Sequence, residues 1–197
     1  QQMAFSPSHG GPRPADACLL AKSSDSSITG EVSVNLNVST LLSEEFMQFD
    51  DSIVASMRGA VVLELQKLDI FADINAFKFA RDFAKERRYR VCIVGLTYGT
   101  TPLINRERLG ADLVKILWAP ALPPILGKKK ALDMVKSMGP SRVILCRCDT
   151  TESIDFGHDV GISMFQGRQI ETLIAEETRR RELEMARRRT NKSDGIK

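Results

Sequence analysis

Short apolar runs recur along the chain, and between them the apolar positions spread out to a helical spacing. Strand-like runs fall at Met3–Ser6, Ala17–Ala21, Glu31–Asn37, Ala60–Leu65, Arg90–Leu96, Leu113–Leu117, Arg142–Arg147 and Gly161–Gln166. Several are rich in Val and Ile, as strands buried on both faces of a parallel sheet must be. The stretches between them read as helices. Ser43 can cap one that places Phe46, Phe49, Ile53 and Met57 on one face. Asp73 can cap a second, with Phe77, Ala80, Phe83 and Ala84 inward, and Leu132, Val135 and Met138 mark a third that stops at Gly139-Pro140. Eight strands alternating with helices predict an α/β fold of the (β/α)8 TIM-like barrel class.

One connection breaks the alternation. Lys22–Gly30 is polar, Ser-rich and without a helical period. Such barrels usually need about 250 residues, and this chain has 197. Either a helix or two has been lost, or the sequence omits a segment near residues 22–30. The second is favoured, because an uncovered barrel strand would expose apolar surface.

The chain is 43% hydrophobic and 27% charged, which suits one globular domain with a sizeable core. Its net charge of +3 gives no ground for expecting a nucleic-acid partner. The basic excess sits at the end: residues 168–197 hold nine Lys/Arg against six Asp/Glu, so the remainder is neutral. Cys18, Cys92, Cys146 and Cys148 lie in apolar runs rather than a spaced framework, which predicts a reducing cytoplasmic location. No stretch reads as a signal peptide or as a membrane span. The chain opens on Gln1 rather than Met, as a piece of a longer protein would.

Read in order, the runs resemble the EAL domain family up to Gly167. "FSP" at Phe5–Pro7 is similar to the family's "YQP", and "ACLLA" at Ala17–Ala21 to "EALLR". "VSVNLN" at Val32–Asn37 resembles "VSVNLS", and "LEL" at Leu63–Leu65 stands for "LEITE". "YGTTPL" at Tyr98–Leu103 resembles the end of "DDFGTGYSSL", and "ADLVKI" at Ala111–Ile116 resembles "DYLKID". "ILCRCDTTE" at Ile144–Glu152 follows "IAEGVET", and "FQG" at Phe165–Gly167 matches the closing motif. No single match is specific, but eight in order at plausible spacing are much stronger.

The resemblance implies a barrel whose first strand, at Met3–Ser6, runs antiparallel to its neighbours. It also implies a site where carboxylates and an Asn hold two Mg²⁺ or Mn²⁺ ions that activate water against the phosphodiester of cyclic-di-GMP. Carried over position by position, Asn35, Glu64, Lys115 and Gln166 are retained, and Asp149 survives in kind. The other acids are gone. The first Glu is Ala17, the paired Asp residues are Leu96 and Thr97, the Asp after the family's Lys is Leu117, and the first Glu of "AEGVE" is Cys146. The phosphate-meeting Arg of "EALLR" is Ala21. A degenerate member is therefore expected: no enzyme, no metal, no cofactor. Mg²⁺ or Mn²⁺ would be needed only if a phosphodiesterase activity survived.

Such a chain is expected to act in bacterial cyclic-di-GMP signalling by binding a protein partner, the cyclic dinucleotide weakly, or both, with Asn35, Glu64, Lys115 and Gln166 as candidate contacts. Without metal, Glu64 is expected to pair with Lys115 or Asn35 in the barrel mouth. Cys146 and Cys148 would lie on one face of a strand about 7 Å apart. With only His158 nearby they read as core thiols rather than metal ligands. Lys128–Lys130 reads as a solvated helix start, and His9 carries no inference.

The organisation expected is a barrel over 1–167 and a charged helical tail over 168–197. The tail has no Pro or Gly before residue 195 and is rich in Glu, Arg, Leu, Ala and Met. One helix from Arg168 to about Arg189, pairing with a second copy or a partner, is the expectation. A scaffold acting through that helix alone is the remaining alternative.

Overall fold

The computed structural model describes residues 32–120 and 122–194. The chain divides after Leu117 into two compact units. In the first, β1 (Val32–Leu36), β2 (Val61–Gln66), β3 (Arg90–Leu96) and β4 (Leu113–Leu117) form a sheet in that order, each strand parallel to its neighbours. In the second, β5 (Val143–Cys146) pairs in parallel with β6 (Met164–Gln166). The strands expected at Met3–Ser6 and Ala17–Ala21, and the segment near 22–30, lie outside the described residues. The antiparallel start was expected on Met3–Ser6. It finds no support among the described residues, whose strand pairs are all parallel.

Helices separate the strands. In the first unit they are α1 (Val38–Leu41), α2 (Glu44–Ser52), α3 (Lys67–Ala72), α4 (Ile74–Glu86) and α5 (Arg106–Leu109). In the second they are α6 (Leu122–Met138), broken at Gly127, where the backbone is not helical (φ 71, ψ 147), α7 (Thr151–Asp159) and α8 (Arg168–Asp194). No helix among the described residues is long and apolar enough to cross a membrane.

The strand composition dictates a two-faced core. Leu63, Leu65, Val91, Ile93, Val114 and Ile116 are all buried. They alternate with a second row that includes Glu64 and Lys115, so both sheet faces are covered and the strands read as nearly continuous apolar runs. Helix α4 packs against β3. It starts where Asp73 accepts hydrogen bonds from the Asn75 and Ala76 amides at 3.0 and 2.9 Å. Phe77, Ala80 and Ala84 then bury one stripe. Covering Phe77 contributes about 1.5–3 kcal/mol.

Two readings of α2 need correction. Ser43 caps it, accepting from the Phe46 amide at 3.4 Å, but the helix ends at Ser52. Ile53 is already extended, and Met57 lies beyond the helix. The polar residue Asp50 takes the inward position instead. Only 4% exposed, it accepts from Tyr89 Oη at 2.7 Å and Arg87 Nε at 2.9 Å, and pairs with Arg58 Nε at 2.9 Å. Burial first, and the Asp50 hydrogen bond second, push the Tyr89 hydroxyl far above its ordinary range.

Candidate functional site

Register alone assembles a row across the first sheet. Asn35 pairs with Glu64, Glu64 with Cys92, and Cys92 with Leu113. Residues paired across neighbouring strands share a face, so these four side chains line one surface, and Lys115 follows Leu113 on it. Lys115 Nζ donates to Glu64 Oε1 at 2.5 Å. The two side chains are 8% and 3% exposed. Two opposite charges are thus held almost out of water, each offsetting part of the other's desolvation cost. Asn35 beside them is half-buried.

The next step along β3 changes which residues join this row. Ile93 pairs with Val114 and Leu96 with Ile116, so Val94 and Gly95 together oppose Lys115. That is a β-bulge. Gly95 sits in the left-handed region at φ +77, and a Cβ placed on it would come 2.8 Å from Gln66 Oε1. Beyond the bulge Leu96 shares the face of Ile116, opposite that of Lys115, and it is fully buried. Leu96, which stands at one of the family's paired Asp positions, thus shares a face with Ile116 rather than with Lys115. A Gly inside a strand pattern was the signal available in the sequence.

The second unit carries the other two retained residues. Gln166 pairs in register with Cys146, and its carbonyl accepts from the Cys148 amide at 3.0 Å. Asp149 has a structural occupation: its carboxylate accepts from the Arg168 amide at 3.0 Å and lies 3.4 Å from the Arg168 guanidinium. That backbone hydrogen bond first, and the side-chain bond second, hold the Asp149 carboxyl below its usual range. The reading of Cys146 and Cys148 as one strand face is corrected. Strand β5 ends at Cys146, and Arg147 breaks it with φ +62. In the alignment of "ILCRCDTTE" with "IAEGVET", Arg147 stands at the Gly, the residue type that tolerates this conformation best. The Cys148 thiol is buried and donates to the Leu145 carbonyl at 3.3 Å, and burial raises its pKa. The His158 ring meets that of Phe165 at a tilt of 54°, and Lys128 pairs with Asp159 in solvent.

A pair of Mg²⁺ or Mn²⁺ ions needs several hard oxygen ligands. The row offers one amide, one carboxylate already bound to an ammonium, one thiol and one alkyl group. These residues do not fit a two-metal centre. Among the described residues no group of three or more His, Cys, Asp or Glu could hold a metal ion.

No protein-family model and no curated protein matches the sequence. Solved structures do. The Xanthomonas citri FimX EAL domain in complex with c-diGMP is 11% identical with a TM-score of 0.58, covering 78% of this chain and 64% of that one. The Vibrio cholerae LapD S helix-GGDEF-EAL protein bound to c-di-GMP is 13% identical with a TM-score of 0.59, covering 78% and 39%. Klebsiella pneumoniae BlrP1, solved as a manganese and cyclic-diGMP complex, is 18% identical with a TM-score of 0.62, covering 78% and 42%. The chain therefore spans between about two fifths and just under two thirds of these structures, and its fold is the EAL-type α/β fold.

Proposed function

We propose that this chain is a non-catalytic EAL-type module of cyclic-di-GMP signalling, working by binding rather than by hydrolysis. The observation that carries this reading is the Glu64–Lys115 pair. The one carboxylate of the row is neutralised at 2.5 Å by a buried ammonium, among neighbours that offer a metal nothing comparable. A two-metal hydrolysis needs carboxylates that bridge both ions and an activated water between them. Here Leu96 is turned to the opposite face and Asp149 caps α8. The fold shared with proteins solved in complex with c-di-GMP supports the cyclic dinucleotide as the ligand. The C-terminal helix, with Leu173 and Ile174 exposed near its start, supports a second role in self-association or in holding a protein partner. The barrel region is proposed to run to Gly167 and the helical tail from Arg168.

Isothermal titration with cyclic-di-GMP, with and without Mg²⁺, is the test. A parallel chromatographic assay follows linear product. Binding that is indifferent to Mg²⁺, with no product, is the expected outcome. Metal-dependent release of product would overturn the proposal in favour of a surviving phosphodiesterase.

A further inference from the structure

The C-terminal ends of β1, β2 and β3 carry polar residues that the Glu64–Lys115 pair does not use. Asn37, Gln66 and Thr97, at or just past those ends, are exposed. Lys67 follows β2 directly, is half-buried, and reaches the segment after β3, where its Nζ donates to Thr100 Oγ1 at 3.1 Å. Thr100 Oγ1 also accepts from the Thr97 amide at 3.0 Å and donates to the Thr97 carbonyl at 3.0 Å. Thr97 Oγ1 lies 3.2 Å from it. An ammonium, a backbone N–H and two hydroxyls therefore converge on one point of the rim.

Among the described residues nothing compensates the charge at this point. An ammonium has three N–H donors, and the partner Lys67 has is a neutral hydroxyl. No carboxylate among the described residues pairs with it. Asp69, two residues on, is committed elsewhere and accepts from the Val38 amide. The motif that "LEL" resembles closes on an acid, whereas this chain has Lys67 at that place.

We infer that Lys67, Thr97 and Thr100 form an oxyanion subsite that takes a phosphate group of a nucleotide phosphodiester without a metal ion. Lys67 supplies the positive charge that the row around Glu64 does not fit metals to supply, and the threonine hydroxyls rotate to donate once an oxyanion displaces their mutual bonds. This rests on the binding reading above for the identity of the ligand, but the subsite itself is a matter of charge and donors.

The full chain is titrated with cyclic-di-GMP in the presence of EDTA and, separately, with inorganic phosphate, while the Thr97 and Thr100 amides are followed by NMR. Lys67→Met, Lys67→Arg and Thr100→Val are compared with wild type, and thermal melts show that each is folded. Expected are shifts of both amides and binding that weakens with salt. A loss of about tenfold or more in Lys67→Met is also expected, as is wild-type-like affinity in Lys67→Arg. Cyclic-di-GMP binding that is unchanged in Lys67→Met overturns the subsite and leaves the binding reading standing. Phosphate shifts that depend on Lys67, with no response to cyclic-di-GMP, support the subsite and overturn the cyclic dinucleotide as its ligand. No response to either probe overturns both.

Discussion

Lys115 Nζ and Glu64 Oε1 meet at 2.5 Å where neither side chain is more than 8% exposed. The pair binds β2 to β4 across β3, at the level where the sheet carries its polar residues. Removing one member leaves a buried charge with no partner, while removing both leaves none. Lys115→Met is therefore expected to lose about 3–5 kcal/mol in urea unfolding. The double variant Glu64→Leu with Lys115→Met should recover most of that loss. A single variant as stable as wild type would mean the charges are solvated and the row is open.

The bulge at Gly95 gives a second expectation. Its φ of +77 is costly for any residue with a Cβ, and the added atom would press on Gln66 Oε1 at 2.8 Å. Gly95→Ala should lose at least about 1–2 kcal/mol. Gly59, with nothing within 4 Å of its would-be Cβ and no left-handed φ, is the control. Gly59→Ala should leave the denaturation midpoint nearly unchanged.

The same bulge decides what Leu96→Asp does. Leu96 is fully buried and shares a face with Ile116 rather than with Lys115. A carboxylate there would be buried on the face of Ile116 rather than beside Lys115. The expected result is destabilisation of at least about 2 kcal/mol. Leu96→Asp combined with Thr97→Asp should give no hydrolysis of cyclic-di-GMP by product chromatography. Turnover in that double variant would show that position 96 does reach the polar row.

These residues also mark how far the sequence could be read. The strands around Val34, Leu63, Ile93 and Val114 were legible because strands covered on both sides need unbroken apolar runs. Asn35, Glu64 and Lys115 were legible as candidates because they stand out as polar within such runs. Helix α3 was not, since its six residues bury only Ile70 and are too short to show a period. Nor was the Asp50 cluster legible: Arg58, Arg87 and Tyr89 converge from separate segments, and no local spacing encodes that. The facing of Leu96 depends on one residue of slippage, which flips every side chain beyond it.

Asp149 ties acidity to the start of α8. Its carboxyl is held below the ordinary value of about 3.9 by the Arg168 amide and guanidinium. A depressed carboxylate contributes stability that is fully present above its unfolded value and is lost as pH falls through the folded one. The first turn of α8 should thus be protected from amide exchange at neutral pH and lose protection below about pH 4. Asp149→Ala should exchange quickly at both pH values. Equal protection of the Arg168 amide in wild type and variant would remove Asp149 from any role as a cap.

The last expectation concerns the length of α8. From Arg168 to Asp194 it runs 27 residues. Ile170 is half-buried, but Leu173, Ile174, Leu183 and Met185 are 45%, 61%, 56% and 54% exposed. Glu177 holds Arg181 at 2.8 Å and also pairs with Arg180. Such exposed pairs stabilise a helix by only about 0.2–0.5 kcal/mol each. That is too little to keep so long a segment helical in water without a packing surface. Leu173 and Leu183, within about 80° of each other around the helix, are the exposed apolar groups a second helix would cover. Ellipticity at 222 nm and the mass from light scattering should therefore both rise with protein concentration. Leu173→Asp with Leu183→Asp should abolish the rise and leave the melting of the remainder unchanged. A chain that stays monomeric at every concentration, with α8 still protected from amide exchange, would place the helix against its own barrel instead.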